Sequence, residues 1–160
     1  MSEASHHQVN QPGDHDNIFF YPKEFYVFDN FSSFQVEWHG FLWPTSEHAF
    51  QAAGFIDTAP DIYSEIQSAR SAHDAQKVAY QNRDKLPSDW DNIKVNLMKD
   101  ILRHKIDQHP YVLKKLLQSG TREIIEDSWR DSEWGWGLHQ DGQNKLGHIW
   151  MDLRTEYQKK

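Results

Sequence analysis

The chain of 160 residues carries 17 Lys and Arg against 24 Asp and Glu, a formal net charge of −7, with ten His, no Cys and 14% aromatic residues, including seven Trp. Such a chain can bury a core and suits one domain, and its aromatic content excludes an intrinsically disordered protein. The lack of Cys excludes disulfides, thiolate zinc sites and Cys nucleophiles and fits a reducing, cytoplasmic compartment. The start, MSEASHHQVNQPGDHDN, has no basic n-region or apolar h-region, and no apolar run approaches bilayer length, so a soluble protein without a membrane partner is expected.

In chain order, residues 1–17 are polar and aperiodic, carry Pro12 and Gly13, and read as a flexible tail, leaving 18–160 as a single domain. Ile18-Phe19-Phe20-Tyr21 is an apolar run stopped by Pro22, and Phe34 to Trp38 alternates apolar and polar before a turn at His39-Gly40. These segments predict strands of one small sheet, with Phe41-Leu42-Trp43 as the returning partner. From Pro44 the pattern turns helical, and Thr45 or Ser46 can cap a helix running to about Ala53. Ile62, Ile66, Ala69 and Ala72 make a further helical stripe. Trp90, Ile93, Leu97, Ile101 and Leu102 make a stronger one behind Ser88, with Asp91 completing a start like a capping box. Pro110 fits the first turn of a helix bearing Val112, Leu113, Leu116 and Leu117, and Gly120 fits its C′ position. Glu123 to Glu126 suits a strand or a helical turn. A glycine-rich loop from Trp134 to Gly142 leads into a last helix with Leu146, Ile149, Trp150, Leu153 and Tyr157 on one side. The expected fold class is α+β, a compact and mostly helical domain with a small β-sheet.

Charge is unevenly spread. Residues 70 to 115 hold ten of the seventeen basic side chains against six acidic ones, whereas residues 1 to 69 hold ten acidic side chains and one cation, Lys23. The negative total argues against a general nucleic-acid binder, which needs clustered Lys and Arg to neutralise phosphates. A local anion-binding face is compatible with the basic segment; the alternative is that its cations are the solvated sides of amphipathic helices.

No dinucleotide fingerprint, P-loop, His-Glu-x-x-His or Gly-x-Ser-x-Gly occurs, and the His spacings are not those of metal ligands on a helix face, so neither metal nor cofactor is expected. Glu47 falls in the first turn of a predicted helix, where the macrodipole and free N–H groups favour an ionised carboxylate, either for chemistry or simply to complement the helix end. Asp131 precedes Trp134-Gly135-Trp136-Gly137, in which indoles alternate with glycines that let backbone approach a flat heteroaromatic ring, unless the tryptophans fill the core. Asn144 and Gly147, opening the last helix, can offer donors to a phosphate or ribose; structurally, Asn144 is an N-cap and Gly147 a close-packing residue. Lys23 lies among Phe20, Tyr21, Phe25 and Tyr26, where a desolvated amine would serve as a phosphate clamp, acid or nucleophile, or would extend its stem over aromatics with its head in water.

Several separated segments share one pattern: Ile18-Phe-Phe-Tyr, Phe28-Asp-Asn-Phe31, Trp43-Pro-Thr-Ser-Glu-His-Ala-Phe-Gln-Ala52, Glu126 with Asp131, Trp134-Gly135, and Asn144-Lys-Leu-Gly147 through Met151 and Arg154. Together they resemble the NADAR (YbiA-like) family over residues 18 to 155. The resemblance implies a largely helical α+β domain that hydrolyses an N-glycosidic bond between a ribose and a nitrogenous base. Members are similar to enzymes that remove ADP-ribose from guanine in nucleic acid, and to others that split phosphorylated ribosyl intermediates of riboflavin synthesis. The implied partner is therefore ADP-ribosylated guanine in DNA or RNA, or an ADP-ribose-type nucleotide, taken by a monomer. By position, Glu47 is the main catalytic carboxylate and Asp131 its companion. Trp90 and Trp134 line the site, and Asn30, Phe31, Ser46, His48, Gly135, Asn144 and Gly147 help to bind substrate.

One departure stands out. After Phe-Gln-Ala the family commonly has a Lys before Phe, where this chain has Gly54-Phe55. Lys23 is the candidate substitute amine, and a Schiff base on an opened ribose is then an alternative route. The missing amine also leaves open a module that binds ADP-ribose without cleaving it.

Overall fold

The computed structural model describes residues 17–20 and 25–160. In chain order the elements are strands β1 (Asn17–Phe20), β2 (Val36–Trp38) and β3 (Phe41–Trp43), helices α1 (Ser46–Ala53), α2 (Pro60–Gln67), α3 (Ala72–Gln81), α4 (Trp90–Gln108) and α5 (Pro110–Gln118), strand β4 (Glu123–Glu126) and helix α6 (Lys145–Gln158). The α+β class is as expected, and β1 opens at Asn17, the last residue of the segment read as tail. Residues 1–16 lie outside the described part. Contacts divide the chain into two units, one of residues up to Asp29 together with Tyr111–Lys160, the other Asn30–Pro110.

The Asn30–Pro110 unit begins with the hairpin. His39 and Gly40 both take positive φ, 52° and 78°, as a two-residue hairpin turn requires. Val36 pairs with Trp43 and Trp38 with Phe41. Val36, Trp38 and Trp43 are buried, and Trp43 Nε1 donates to the Trp38 carbonyl at 3.0 Å. Helix α4 docks on the open edge of β2. The Gln108 side chain bonds the Glu37 carbonyl and N–H at 2.8 and 2.7 Å, as a neighbouring strand would, and Asp100 accepts from Trp38 Nε1 at 2.9 Å.

The other helices of this unit part from expectation in instructive ways. The stripe read from Ile62 to Ala72 is split: Ile62 and Ile66 are the buried side of α2, Ala69 lies in the connection, and Ala72 begins α3. Ser71 caps α3, accepting from Asp74 N at 3.0 Å. Helix α4 is entered through a turn at Pro87, whose carbonyl accepts from Trp90 N, so Asp89 takes the N-cap position instead of Ser88, and Asp91 pairs with Lys94 at 2.8 Å. Its buried face is Lys94, Met98, Ile101, Leu102, Lys105 and Ile106. Thus two cations of the basic segment, Lys94 and Lys105, are buried and not on a solvated face. Lys105 is fully buried, its ammonium donating to Ser32 Oγ at 3.1 Å and Ser46 Oγ at 3.5 Å and lying 5.4 Å from the Phe34 ring centre.

In the other unit β1 runs parallel to β4, with Ile18 opposite Ile124 and Phe20 opposite Glu126. The single sheet expected from the strand pattern is therefore two separate pairs. A parallel pair needs a long crossover, and here all of residues 30–110 separate its strands in sequence. Helix α6 packs on β4 with Leu146, Ile149, Trp150, Leu153 and Tyr157 buried, as their spacing predicts. Trp150 packs against Phe28 with the rings tilted by 41°, 4.9 Å between ring centres, and donates to the Phe28 carbonyl at 3.0 Å. Helix α5 ends as expected, with Gly120 at positive φ (64°), and Arg154 of α6 ties that end down through Ser119 Oγ and the Arg122 carbonyl. Among the described residues no helix is long and apolar enough to cross a membrane.

Candidate active site

Helix α1 presents the central carboxylate. Thr45 caps the helix by accepting from His48 N at 3.2 Å, which places Glu47 in the first turn. Its own N–H is held by the Asn30 carbonyl at 3.1 Å. Glu47 is 95% buried, at 5% exposure, in a first turn whose residues are otherwise Ser46 and His48. Its Oε1 accepts from Gln51 Nε2, one turn on, at 2.7 Å and from Gln76 Nε2 of α3 at 3.1 Å. Two donated hydrogen bonds from different helices fix the plane of this carboxyl group.

Those same two glutamines line a cavity of about 440 Å³, together with His73, Lys77, Ala79, Tyr80, Arg83, Leu86 and Trp90. The carboxylate therefore stands next to a cavity of small-molecule size. Trp90 supplies an aromatic wall, its ring 5.5 Å from Phe50. Sequence reading singled out Trp90 but missed the α3 contribution. His73, Gln76, Lys77 and Tyr80 lie at i, i+3, i+4 and i+7, one face of the helix, while Ala72, Ala75 and Ala79 form its buried face. Alanines give little hydropathy contrast, which is why this helix escapes a periodicity reading. The signal that pointed to it is the basic excess of residues 70 to 115.

Other predicted residues of this unit hold α1 in place. The Ser46 hydroxyl lies 3.0 Å from Asn30 Oδ1 and 3.3 Å from the Asn30 carbonyl, and Asn30 Nδ2 reaches Met98 Sδ at 3.5 Å. His48 is buried between Thr45 Oγ1, 2.8 Å from Nδ1, and the Ala69 carbonyl, 3.0 Å from Nε2. A carbonyl only accepts, so Nε2 carries the proton and Nδ1 accepts from the threonine. Burial holds this imidazole below its ordinary pKa, against the opposing pull of the Ala69 carbonyl and Asp74. Phe31 is 39% exposed.

The remaining predicted residues belong to the other unit and build the glycine-rich loop on β4. Asp131 Oδ1 accepts from the N–H groups of Glu133 and Trp134 at 2.9 and 2.8 Å, closing the turn that presents the half-buried Trp134. A Cβ on Gly135 would come within 2.8 Å of the Glu126 carbonyl, so the loop lies against the strand only because this residue is glycine. Asn144 is not a side-chain cap. It sits at the N-cap position in the left-handed region, φ 48°, and its amide pairs with β4 instead: Oδ1 accepts from Glu126 N and Nδ2 donates to the Ile124 carbonyl, both at 2.9 Å. Gly147 is the close-packing residue, since a Cβ there would lie 2.1 Å from the Ile124 carbonyl. Lys23 lies outside the described residues. Among the described residues no group of three or more His, Asp or Glu is placed to hold a metal ion.

Gly54, the departure from the family pattern, ends α1 under the cavity wall. A Cβ at this position would meet Leu86 Cδ2 at 2.4 Å and the Trp90 ring at 3.2 Å. Leu86 thus occupies the space that a longer residue 54 would need.

The chain is 33% identical over 129 residues to the N-glycosidase YbiA of Escherichia coli, a match covering 81% of this chain and 79% of that protein. It is 34% identical over 143 residues to a riboflavin biosynthesis protein of Vibrio vulnificus, covering 88% of this chain and 38% of that one. The NMR structure of E. coli YbiA superposes with a TM-score of 0.79 and 30% sequence identity, over 97% of this chain and 89% of that structure. The NADAR domain model matches residues 18–158, across both units, and with these relatives it establishes that the chain belongs to the NADAR domain family.

Proposed function

We propose that this protein is an N-glycosidase that hydrolyses the bond between a ribose and a nitrogenous base, with ADP-ribose on guanine as its substrate. The observation that carries the reading is the Glu47 carboxyl, buried in the first turn of α1 and fixed by two amides that also line a cavity walled by Trp90. Breaking the ribosyl C–N bond builds positive charge at the anomeric carbon, and a fixed carboxylate stabilises that charge without reorganising. Glu47 also accepts a proton from the attacking water. The C–N electron pair departs with the base, which takes up a proton, and the water oxygen becomes the anomeric hydroxyl. Asp131 is assigned the positioning of Trp134 through the turn it closes.

A second reading, cleavage of a phosphorylated ribosyl intermediate of riboflavin synthesis, is favoured by the names of relatives from Vibrio vulnificus and maize. The net charge of −7 also suits a small substrate better than a nucleic acid. Both substrates are offered to the protein and to Glu47→Gln, which keeps the shape and removes the charge. Turnover falls by roughly two orders of magnitude or more in the variant, with the fold intact by circular dichroism. Near-normal turnover by folded Glu47→Gln makes Glu47 a helix-end charge only, and binding of ADP-ribose with no release of base from either substrate makes the protein a reader.

A further inference from the structure

Glu47 is held from a second helix as well as its own. Gln51 Nε2, one turn along α1, and Gln76 Nε2 of α3 donate to the same oxygen, Oε1, at 2.7 and 3.1 Å. A carboxylate only accepts, so both amides turn their nitrogen toward it, and the two donors engage both lone-pair sites of that one oxygen. The Gln51 bond is built with the helix that carries Glu47. The Gln76 bond exists only when α3 packs on α1 in one register. The inward side of α3 is Ala72, Ala75 and Ala79, whose short side chains let the helices approach but raise shallow ridges that fix register poorly. Hydrogen bonds at two successive residues of α1 supply the register instead: Glu47 takes the Gln76 amide, and His48 Nε2 donates to the Ala69 carbonyl just before α3. Gln76 is half-buried, between this alanine side and the face that lines the cavity.

We propose that Gln76 is a positioning residue of the hydrolytic reaction: by completing the hydrogen bonding of Glu47 Oε1, it directs the proton of the attacking water to Oε2. The inference rests on the N-glycosidase reading and adds to it a residue outside α1 and the atom that takes the proton. In the step, a water O–H bond breaks and its proton passes to Oε2, the water oxygen bonds the anomeric carbon, and the C–N electron pair leaves with the base. Gln76 transfers no proton. Its amide, with that of Gln51, keeps the carboxyl plane from turning while charge moves off the carboxylate, so no reorganisation is needed during the reaction.

The test compares the full-length parent with Gln76→Met and Gln76→Glu on the two ribosyl substrates offered above. Gln76→Met keeps the length of the side chain and the helix but donates nothing. Its kcat falls about tenfold or more, the scale of one hydrogen bond to a charged group, while KM changes by less than about threefold and the thermal midpoint holds. Gln76→Glu sets a second carboxyl against Glu47, which donates to Oε1 only while it keeps its proton. Its rate relative to the parent is therefore highest in acid and falls about tenfold or more as pH rises through the upper step of the carboxyl pair. His48, His73, Asp74, Lys77 and the lysines of α4 are common to the three chains, so the differences report position 76 alone. A raised KM with unchanged kcat in Gln76→Met makes Gln76 a cavity contact only, and a loss independent of pH in Gln76→Glu makes its role structural; either overturns the proposal. Carbon-13 NMR of the Glu47 carboxyl needs no turnover and so separates this outcome from the fate of the hydrolase reading. In folded Gln76→Glu the Glu47 carbon follows two coupled steps when the side chains meet as described, and a single step unchanged from the parent when they do not. Coupled titration without hydrolysis by the wild-type chain removes the hydrolase and keeps the hold of Gln76 on Glu47, whereas hydrolysis with uncoupled titration keeps the hydrolase and overturns the role of Gln76.

Discussion

The ring of His48 joins two parts of the chain. One nitrogen bonds the threonine that caps α1, the other the Ala69 carbonyl between α2 and α3. Burial lowers the pKa of this imidazole from its ordinary 6.5, so at pH values between the folded and unfolded values the unfolded chain binds more protons than the folded one. Its contribution to stability is therefore fully present above about 6.5 and is lost as pH falls toward the folded value. Proton NMR titration of the His48 ring gives a pKa below the free value, and the urea midpoint drops on acidification through this window by less in His48→Gln than in the parent. A ring titrating above 6.5 would mean that the Ala69 carbonyl and Asp74 outweigh burial at this site. His48 was legible in the sequence as a residue of interest, next to Glu47, but not its role, because neither Ala69 nor the burial of the ring is visible from the local pattern.

At the scale of elements, α6 and β4 are joined through residues that leave no room for substitution. The Asn144 amide extends the hydrogen bonding of β4, and Gly147 lets the helix reach the Ile124 carbonyl. Gly147→Ala forces the helix outward. A stability loss of roughly 1–3 kcal/mol or more is expected, read as a fall in thermal midpoint, because the obstructing atom is backbone and cannot rotate away. A melting temperature within a degree of the parent would mean that α6 is not seated on β4 as described. Gly54→Ala is a contrasting case, since the atom in the way is the end of the Leu86 side chain. The apolar stripe of α6 was fully readable because large residues alternate with charged ones. Helix α3 was not, because its inner face is alanine, and the buried face of α4 was misread where Lys94 and Lys105 occupy it.

For the whole molecule, net charge and local charge pull an anionic ligand in opposite directions. The chain carries −7, which repels phosphate, while the cavity presents Lys77, Arg83 and His73. Screening acts on both, so the sign of the salt effect reports which prevails. Raising sodium chloride from about 50 to 500 mM weakens ADP-ribose binding roughly fivefold, because exposed cations at contact distance outweigh charges beyond a Debye length. Stronger binding at high salt would assign the dominant field to the net negative charge.

The sequence by itself determined the α+β class, the apolar face of α6, the His39-Gly40 turn, the cap of α1 and the place of Glu47 in its first turn, since each depends on residues within a few positions of one another. Of the stripe expected on α5 only Val112 and Leu116 are buried, and Leu117 is exposed. Tertiary structure alone decided that β1 pairs with β4, that Lys105 is buried among serine hydroxyls, that Gln51 and Gln76 converge on one carboxyl oxygen, and that a face of α3 forms a basic cavity wall. Those partners are separated by tens of residues or carry no periodic signal. Hydrogen bonds and burial between distant segments leave no local trace in composition or spacing, so only the folded chain brings them together.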